Sequence, residues 1–179
     1  HSRVRRQRQM CIRDRAETAA LLLELDSTHG RLARPVSHGD GYIEFDGQRI
    51  DYISHRDPES CAWGKRGIDL VMECTGIFTA AEDARRHIEA GAGTVLVSAP
   101  SKGADATIVF GVNHDSLESG MQIVSNASCT TNCLAPVASA LHAACGINQG
   151  FMTTIHAYTG DQNLICLLYT SPSPRDTRR

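Results

Sequence analysis

The chain has 179 residues, 41% of them hydrophobic, and seven cysteines with neither a C-x-x-C nor a zinc-type spacing. A real apolar core is within reach, while a disulfide frame, a metal centre and, with no run of about eighteen apolar residues, a membrane-spanning helix are not expected. The formal net charge of −2 hides an uneven distribution, because the ends are basic and the middle is acidic.

Residues 1–15 hold six arginines and one aspartate, and residues 166–179 hold three arginines and one aspartate. Setting these aside leaves 9 basic and 18 acidic residues in 16–165, a balance of −9. An Arg-rich end suggests a nucleic-acid arm or a transit peptide, but a third reading fits better. Met10-Cys11-Ile12-Arg13-Asp14 can be encoded by ATGTGTATAAGAGAC, and its reverse complement GTCTCTTATACACAT is contained in TGTCTCTTATACACA, which can encode Cys166-Leu167-Leu168-Tyr169-Thr170, when that is continued into Ser171. The two ends therefore resemble a translated sequencing adapter attached as an inverted repeat, and residues 1–15 and 166–179 are expected to be non-native. No nucleic-acid partner is expected. Codons that break the repeat would rule this out.

Ala16 to Leu25 is rich in Ala, Leu and Glu and predicts a helix, with Asp26 to Gly30 as its turn. Tyr42 to Phe45 and Gln48 to Ile53 alternate around Asp46-Gly47, a strong hairpin signal. Asp69 to Cys74 predicts a strand ending at Thr75-Gly76, Ala80 to Ala90 a helix closed by Gly91, and Thr94 to Ser98 the next strand. Thr107 to Val112 and Gln122 to Ser125 predict two more. Strand, helix, strand in this rhythm gives a parallel α/β sheet. Phe151 to Ala157 is expected to begin a different layer.

The most informative stretch is Ser125-Asn126-Ala127-Ser128-Cys129-Thr130-Thr131-Asn132-Cys133, followed by Thr154-Ile155-His156-Ala157-Tyr158-Thr159. Leu134 to Cys145 predicts a helix, and the small polar residues before it suit an N-cap, so Cys129 falls at a helix N-terminus. That position favours the thiolate, the reactive form of cysteine, and first-turn amides beside the Ser128 and Thr130 hydroxyls can hold an anion. Cys133, one turn on, suits packing, and Cys61, Cys74 and Cys145 read as structural. His29, His38, His55, His87, His114 and His142 show no metal-ligand spacing and default to solvated or capping roles.

These motifs together resemble glyceraldehyde-3-phosphate dehydrogenase of the phosphorylating, bacterial type, over about residues 16–165. The resemblance implies an incomplete doubly wound Rossmann-type parallel sheet over 16–128 and the start of an α+β catalytic domain over 129–165. It implies Cys129 as nucleophile and His156 as its base, Ser128 and Thr130 as the site of inorganic phosphate, and Thr159 as a substrate-phosphate contact. Thr75, Gly76 and Phe78 fall at positions lining the adenosine half of NAD, Arg56 near the adenine, and Ser98 and Ala99 at the nicotinamide end. NADP stays open. The implied partners are glyceraldehyde 3-phosphate and inorganic phosphate, the implied assembly a cytoplasmic homotetramer. The implied product is 1,3-bisphosphoglycerate.

The family also carries a first strand with a Gly-x-Gly-x-x-Gly turn, an arginine at the substrate phosphate and an asparagine at the nicotinamide, none of which matches here. In the strand order 3-2-1-4-5-6 the first strand lies in the middle, and its loss splits the sheet between two unpaired edges. The chain by itself is therefore expected to be inactive and poorly folded. Two rivals remain: an erythrose-4-phosphate dehydrogenase with the same Cys and His, and a Cys/His hydrolase, which would need no nucleotide.

Overall fold

In this computed structural model, residues 15–26 and 28–157 are described. They fall into two compact units that divide after Ala140. The first unit opens with α1 (Ala16–Glu24), which buries Ala19 and Ala20 with Ile43 in a small core. The hairpin turn that follows joins β1 (Leu25–Asp26) to β2 (Gly30–Arg31). Its bend is set by Asp26, whose Oδ1 accepts the amides of Thr28 and His29 at 2.8 and 2.7 Å.

An antiparallel meander comes next: β3 (Val36–Gly39), β4 (Tyr42–Phe45) and β5 (Gln48–Asp51). The turn between β4 and β5 is the expected Asp46-Gly47, and φ of 53° and 72° at the two residues makes it type I′. The parallel sheet contains β6 (Leu70–Glu73), β7 (Thr94–Val97), β8 (Ala106–Thr107) and β9 (Ile123–Ser125), in the spatial order β6-β7-β9-β8. Val71 pairs with Val95 and Val95 with Ile123, so one row of apolar side chains crosses three strands. The main core is built on this row, with Cys61, Trp63, Ala84 and Val97.

The helix α2 (Ala81–Glu89) crosses over between β6 and β7 and buries Ala81, Ala84 and His87, spaced three apart on one face. Arg86, on its flank, bonds Glu59 and Asp57 and ties α2 to the short 3-10 turn Pro58–Cys61. Among the described residues β6 pairs only with β7, and the antiparallel meander forms a separate sheet. The fold is thus α/β, an incomplete Rossmann-type arrangement, as the sequence implies.

Three expectations about the elements need correction. The strand expected over Thr107 to Val112 ends at Thr107. There Asn113 competes for the backbone, its Oδ1 accepting the Val109 amide at 2.7 Å and its Nδ2 donating to the Thr107 carbonyl at 2.9 Å. With Gly111 at φ 85° the chain turns away before a longer ladder can form. The helix α3 (Cys129–Cys145) starts five residues earlier than Leu134. In the second unit α3 closes at Gly146, with φ 73°, and residues 147–157 contain no helix or strand, so the layer expected from Phe151 does not form as regular structure.

Candidate functional site

The site residues expected from sequence gather at the carboxyl ends of the parallel strands. Thr75 and Gly76 follow β6, Ser98 and Ala99 follow β7, and Ser128 to Thr130 follow β9. Glu73 pairs with Val97 and Val97 with Ser125, so the three strands end level. The Ser98 amide donates to the Glu73 carbonyl at 2.9 Å and the Asn126 amide to the Val97 carbonyl at 2.8 Å, continuing the register past the ends. Loops leaving parallel strands at this edge are where open α/β sheets bind ligands.

The turn into α3 is fixed by three side chains. Ser125, fully buried, donates from Oγ to the Ala99 carbonyl at 2.7 Å and accepts the Ala127 amide at 3.1 Å. Asn132 Nδ2 donates to the carbonyls of Asn126 and Ser128, at 2.6 and 2.9 Å. Ser128 is the N-cap, its Oγ accepting the Thr131 amide at 3.0 Å while lying 3.0 and 2.7 Å from the hydroxyls of Thr130 and Thr131. Ala127 is held at φ 57°, a left-handed conformation that costs about 1–2 kcal/mol for a residue with a Cβ. This strain sets the sharp exit from β9 that delivers Cys129 as the first, exposed residue of α3.

Beside the turn lies a cleft of about 460 Å³ lined by Pro100, Ser101, Lys102, Thr107, Ala127, Ser128 and Thr131. A lysine and four hydroxyl residues in one wall suit an anionic or carboxamide group. Gly76 has φ 75° and nothing within 4 Å of a Cβ placed there, so open space lies over that turn.

Not every expected contact stands at this edge. Arg56 is exposed in the segment after β5. Phe78 is half-buried and meets the His87 ring edge-on, with centroids 6.0 Å apart, while the Arg86 guanidinium sits 5.3 Å from its own centroid. His156 lies in the second unit, exposed, with Nδ1 donating to the Ala157 carbonyl at 2.6 Å. A neutral ring held that way keeps its basic lone pair on Nε2. Thr159 lies outside the described residues, as do residues 1–14 and 158–179.

His87 is not solvated, nor are Cys74 and Cys145 buried. His87 is 1% exposed and sits between Trp63 and Glu73, while Cys74 and Cys145 are exposed and, among the described cysteines, only Cys61 is in the core. Burial pushes the Cys61 thiol up, against a smaller opposing pull from Arg66. Burial also pushes the Glu73 carboxyl up, but the bonds from His87 and Thr75 outweigh it and hold Glu73 below the usual glutamate value. The sequence signals for this group were present: Glu73 alternates with Val71 on the buried face of β6, and His87 follows Ala81 and Ala84 at helical spacing.

Fold and site define an incomplete Rossmann-type α/β protein with a cysteine presented at a helix N-terminus. Residues 8–81 match the family model for the NAD binding domain of glyceraldehyde 3-phosphate dehydrogenase, and residues 128–179 match that for its C-terminal domain. The matched ranges enter both arginine-rich ends. The glyceraldehyde-3-phosphate dehydrogenase of Pseudomonas aeruginosa is 52% identical over 149 residues, covering 83% of this chain and 45% of the relative. Those of Cereibacter sphaeroides and Geobacillus stearothermophilus are 56% and 51% identical, covering 82% and 85% of this chain and 43% and 46% of theirs. The chain belongs to the glyceraldehyde-3-phosphate dehydrogenase family, and it spans somewhat under half the length of these relatives. No helix among the described residues is long and apolar enough to cross a membrane.

Proposed function

We propose that this chain is part of an NAD-dependent phosphorylating dehydrogenase that oxidises glyceraldehyde 3-phosphate to 1,3-bisphosphoglycerate. Residues 16–128 contribute to its nucleotide domain and residues 129–165 begin its catalytic domain. The observation that carries this reading is the Ser128-capped start of α3, which opens on Cys129 just after β9, a strand that ends level with β6 and β7, from which the Thr75-Gly76 and Ser98-Ala99 turns leave.

The residues present fit NAD: Gly76 leaves open space at one turn, and the cleft lined by Lys102, Ser128 and Thr131 lies beside the other two. Thr75, Gly76, Phe78 and Arg56 would hold the adenosine half, Ser98 and Ala99 the nicotinamide end. When bound, the nicotinamide supplies a hydride acceptor. Cys129 Sγ, as thiolate, attacks the aldehyde carbon, and the carbonyl oxygen takes the proton that His156 holds from the thiol, forming a thiohemiacetal. His156 takes its hydroxyl proton on Nε2 as the hydride departs, which leaves a thioester on Cys129. Phosphate held by the Ser128 and Thr130 hydroxyls and the first-turn amides then attacks the thioester carbonyl, releasing the acyl phosphate and restoring the thiolate. Thr159 would be one contact of the substrate phosphate.

The test is reduction of NAD, measured by absorbance, on full-length protein given glyceraldehyde 3-phosphate and phosphate, with erythrose 4-phosphate and NADP as comparison arms. Cys129→Ser lowers kcat by at least about a thousandfold, and His156→Asn by about a hundredfold or more. Faster turnover of erythrose 4-phosphate would move the assignment to the sister enzyme, and ester cleavage without nucleotide would move it to a hydrolase. The full-length protein is proposed to be a cytoplasmic homotetramer, to be checked by sedimentation and cell fractionation. The ends, residues 1–15 and 166–179, are proposed to be adapter sequence, which the coding DNA decides.

A further inference from the structure

We infer that the buried Trp63–His87–Glu73 chain positions the Thr75-Gly76 turn, making Glu73 and His87 positioning residues for the nucleotide; this rests on the nucleotide reading given above. The Glu73 and His87 side chains are each 2% exposed. A carboxylate so buried is costly unless its oxygens are satisfied. Here Oε2 lies 2.8 Å from His87 Nε2, and Oε1 accepts the Thr75 amide at 2.7 Å together with the Thr75 hydroxyl.

The direction of the bonds follows from chemistry. Trp63 Nε1 can only donate, and it lies 3.0 Å from His87 Nδ1, so that nitrogen is the acceptor. The proton of the neutral ring is then on Nε2 and is donated to Glu73. Three donors, from the Trp63–His87 chain and from both polar groups of Thr75, thus end on one carboxylate or its relay. Thr75 passes the constraint on, since its Oγ1 accepts the Ile77 amide at 3.1 Å across Gly76. Phe78, the next residue, rests edge-on against His87. The turn that follows β6 is therefore tied at Thr75, Ile77 and Phe78 to one buried group, and the glycine between them takes φ 75°.

No atom of Glu73 or His87 need touch the ligand; their effect is on the shape of the turn that does. Replacing His87 by Phe keeps a buried ring but removes the donor to Glu73 and the acceptor for Trp63. His87→Gln restores both, because an amide oxygen can accept from Trp63 while its NH2 donates to Glu73. A purely space-filling role would rank Phe above Gln, and a donor-chain role ranks Gln above Phe.

The experiment measures KM for NAD, KM for glyceraldehyde 3-phosphate and kcat in full-length wild type, His87→Phe, His87→Gln and Glu73→Gln. The expected result is a rise of about tenfold in KM for NAD in His87→Phe and Glu73→Gln, with kcat and the other KM within about twofold. His87→Gln should return KM for NAD to within about threefold of wild type. Trp63 is the chain's single tryptophan, so its emission reports whether the donor chain is intact in each variant. Should His87→Phe fail to fold, Glu73→Gln, which keeps the size of the side chain but turns one of its two acceptor oxygens into a donor, decides alone. An unchanged KM for NAD in folded Glu73→Gln or His87→Phe overturns the proposal, as does His87→Gln behaving like His87→Phe. A wild-type protein that neither binds nor reduces NAD instead sinks the functional reading beneath it.

Discussion

Ser128 shows how one side chain serves structure and chemistry together. Its Oγ caps α3 by accepting the Thr131 amide, and the same atom stands among the hydroxyls proposed to hold phosphate. Ser128→Ala should destabilise the full-length protein by about 1 kcal/mol, read from its urea midpoint, and should raise KM for phosphate in the same variant. Glu73 carries a pH signature of definite sign. Its folded value lies below the ordinary 4.5, so its contribution to stability is present above that value and is lost as pH falls through the lower folded value. Asp26, Glu59 and Asp105 are lowered too and share this sign. Glu73→Gln should thus show a shallower loss of stability than wild type from about pH 4.5 downward, and parallel curves in acid unfolding would count against it. Ser128 and Cys129 were legible in sequence because a cap and its helix are neighbours in the chain. Glu73 and His87 are 14 residues apart and meet only once α2 has packed on β6, so their spacing alone could not pair them.

Glycines separate two physical costs at the scale of the element. Gly47 closes the type I′ turn with φ 72°, and a Cβ there meets nothing within 4 Å. Gly47→Ala should therefore cost only the conformational penalty, about 1 kcal/mol. Gly91 ends α2 with φ 98°, and a Cβ there would lie 2.6 Å from the Gly64 amide nitrogen, in the bond that Gly64 donates to the Ala90 carbonyl at 3.0 Å. Gly91→Ala adds a backbone clash to the strain and should cost about 3 kcal/mol or more. Urea midpoints of the two variants measure the difference, and equal losses would mean that the α2–Gly64 contact can yield. Elements with strong local chemistry were readable in advance: α1 from Ala and Leu, the β4–β5 hairpin from Asp46-Gly47, and α2 from its apolar face ending at Gly91. β8 was not, because the continuous apolar run Ile108 to Phe110 says strand while the Asn113 side chain, beyond that run, says turn. The start of α3 was placed late because Thr130, Thr131 and Asn132 are poor helix formers. Ser128 Oγ and Asn132 Nδ2 supply the bonds that hold them in the first turn.

For the molecule as a whole the apolar surface is unevenly covered. The core around Val95, Val97 and Ile123 is fully buried, yet no residue of α3 is, with Leu134, Val137 and Leu141 exposed by 43, 56 and 52%. At the free edge of β6, Met72 is 52% exposed, and among the described residues no strand pairs there. A 17-residue helix with Ala, Leu and Val along its length, whose most covered residues such as Ala135 and Ala138 are only half-buried, cannot draw much stability from packing, which is what holds most helices in proteins. Exposed apolar patches of this kind bind hydrophobic dyes and seed association. The 179-residue polypeptide by itself should therefore enhance anilinonaphthalene sulfonate fluorescence, unfold over a broad urea range and give no NAD-dependent oxidation of glyceraldehyde 3-phosphate. The same residues within the full-length protein should lose the dye signal and unfold sharply, because α3 and the β6 edge are then covered. A dye-silent, cooperatively unfolding isolated chain would show that these two surfaces need no further cover.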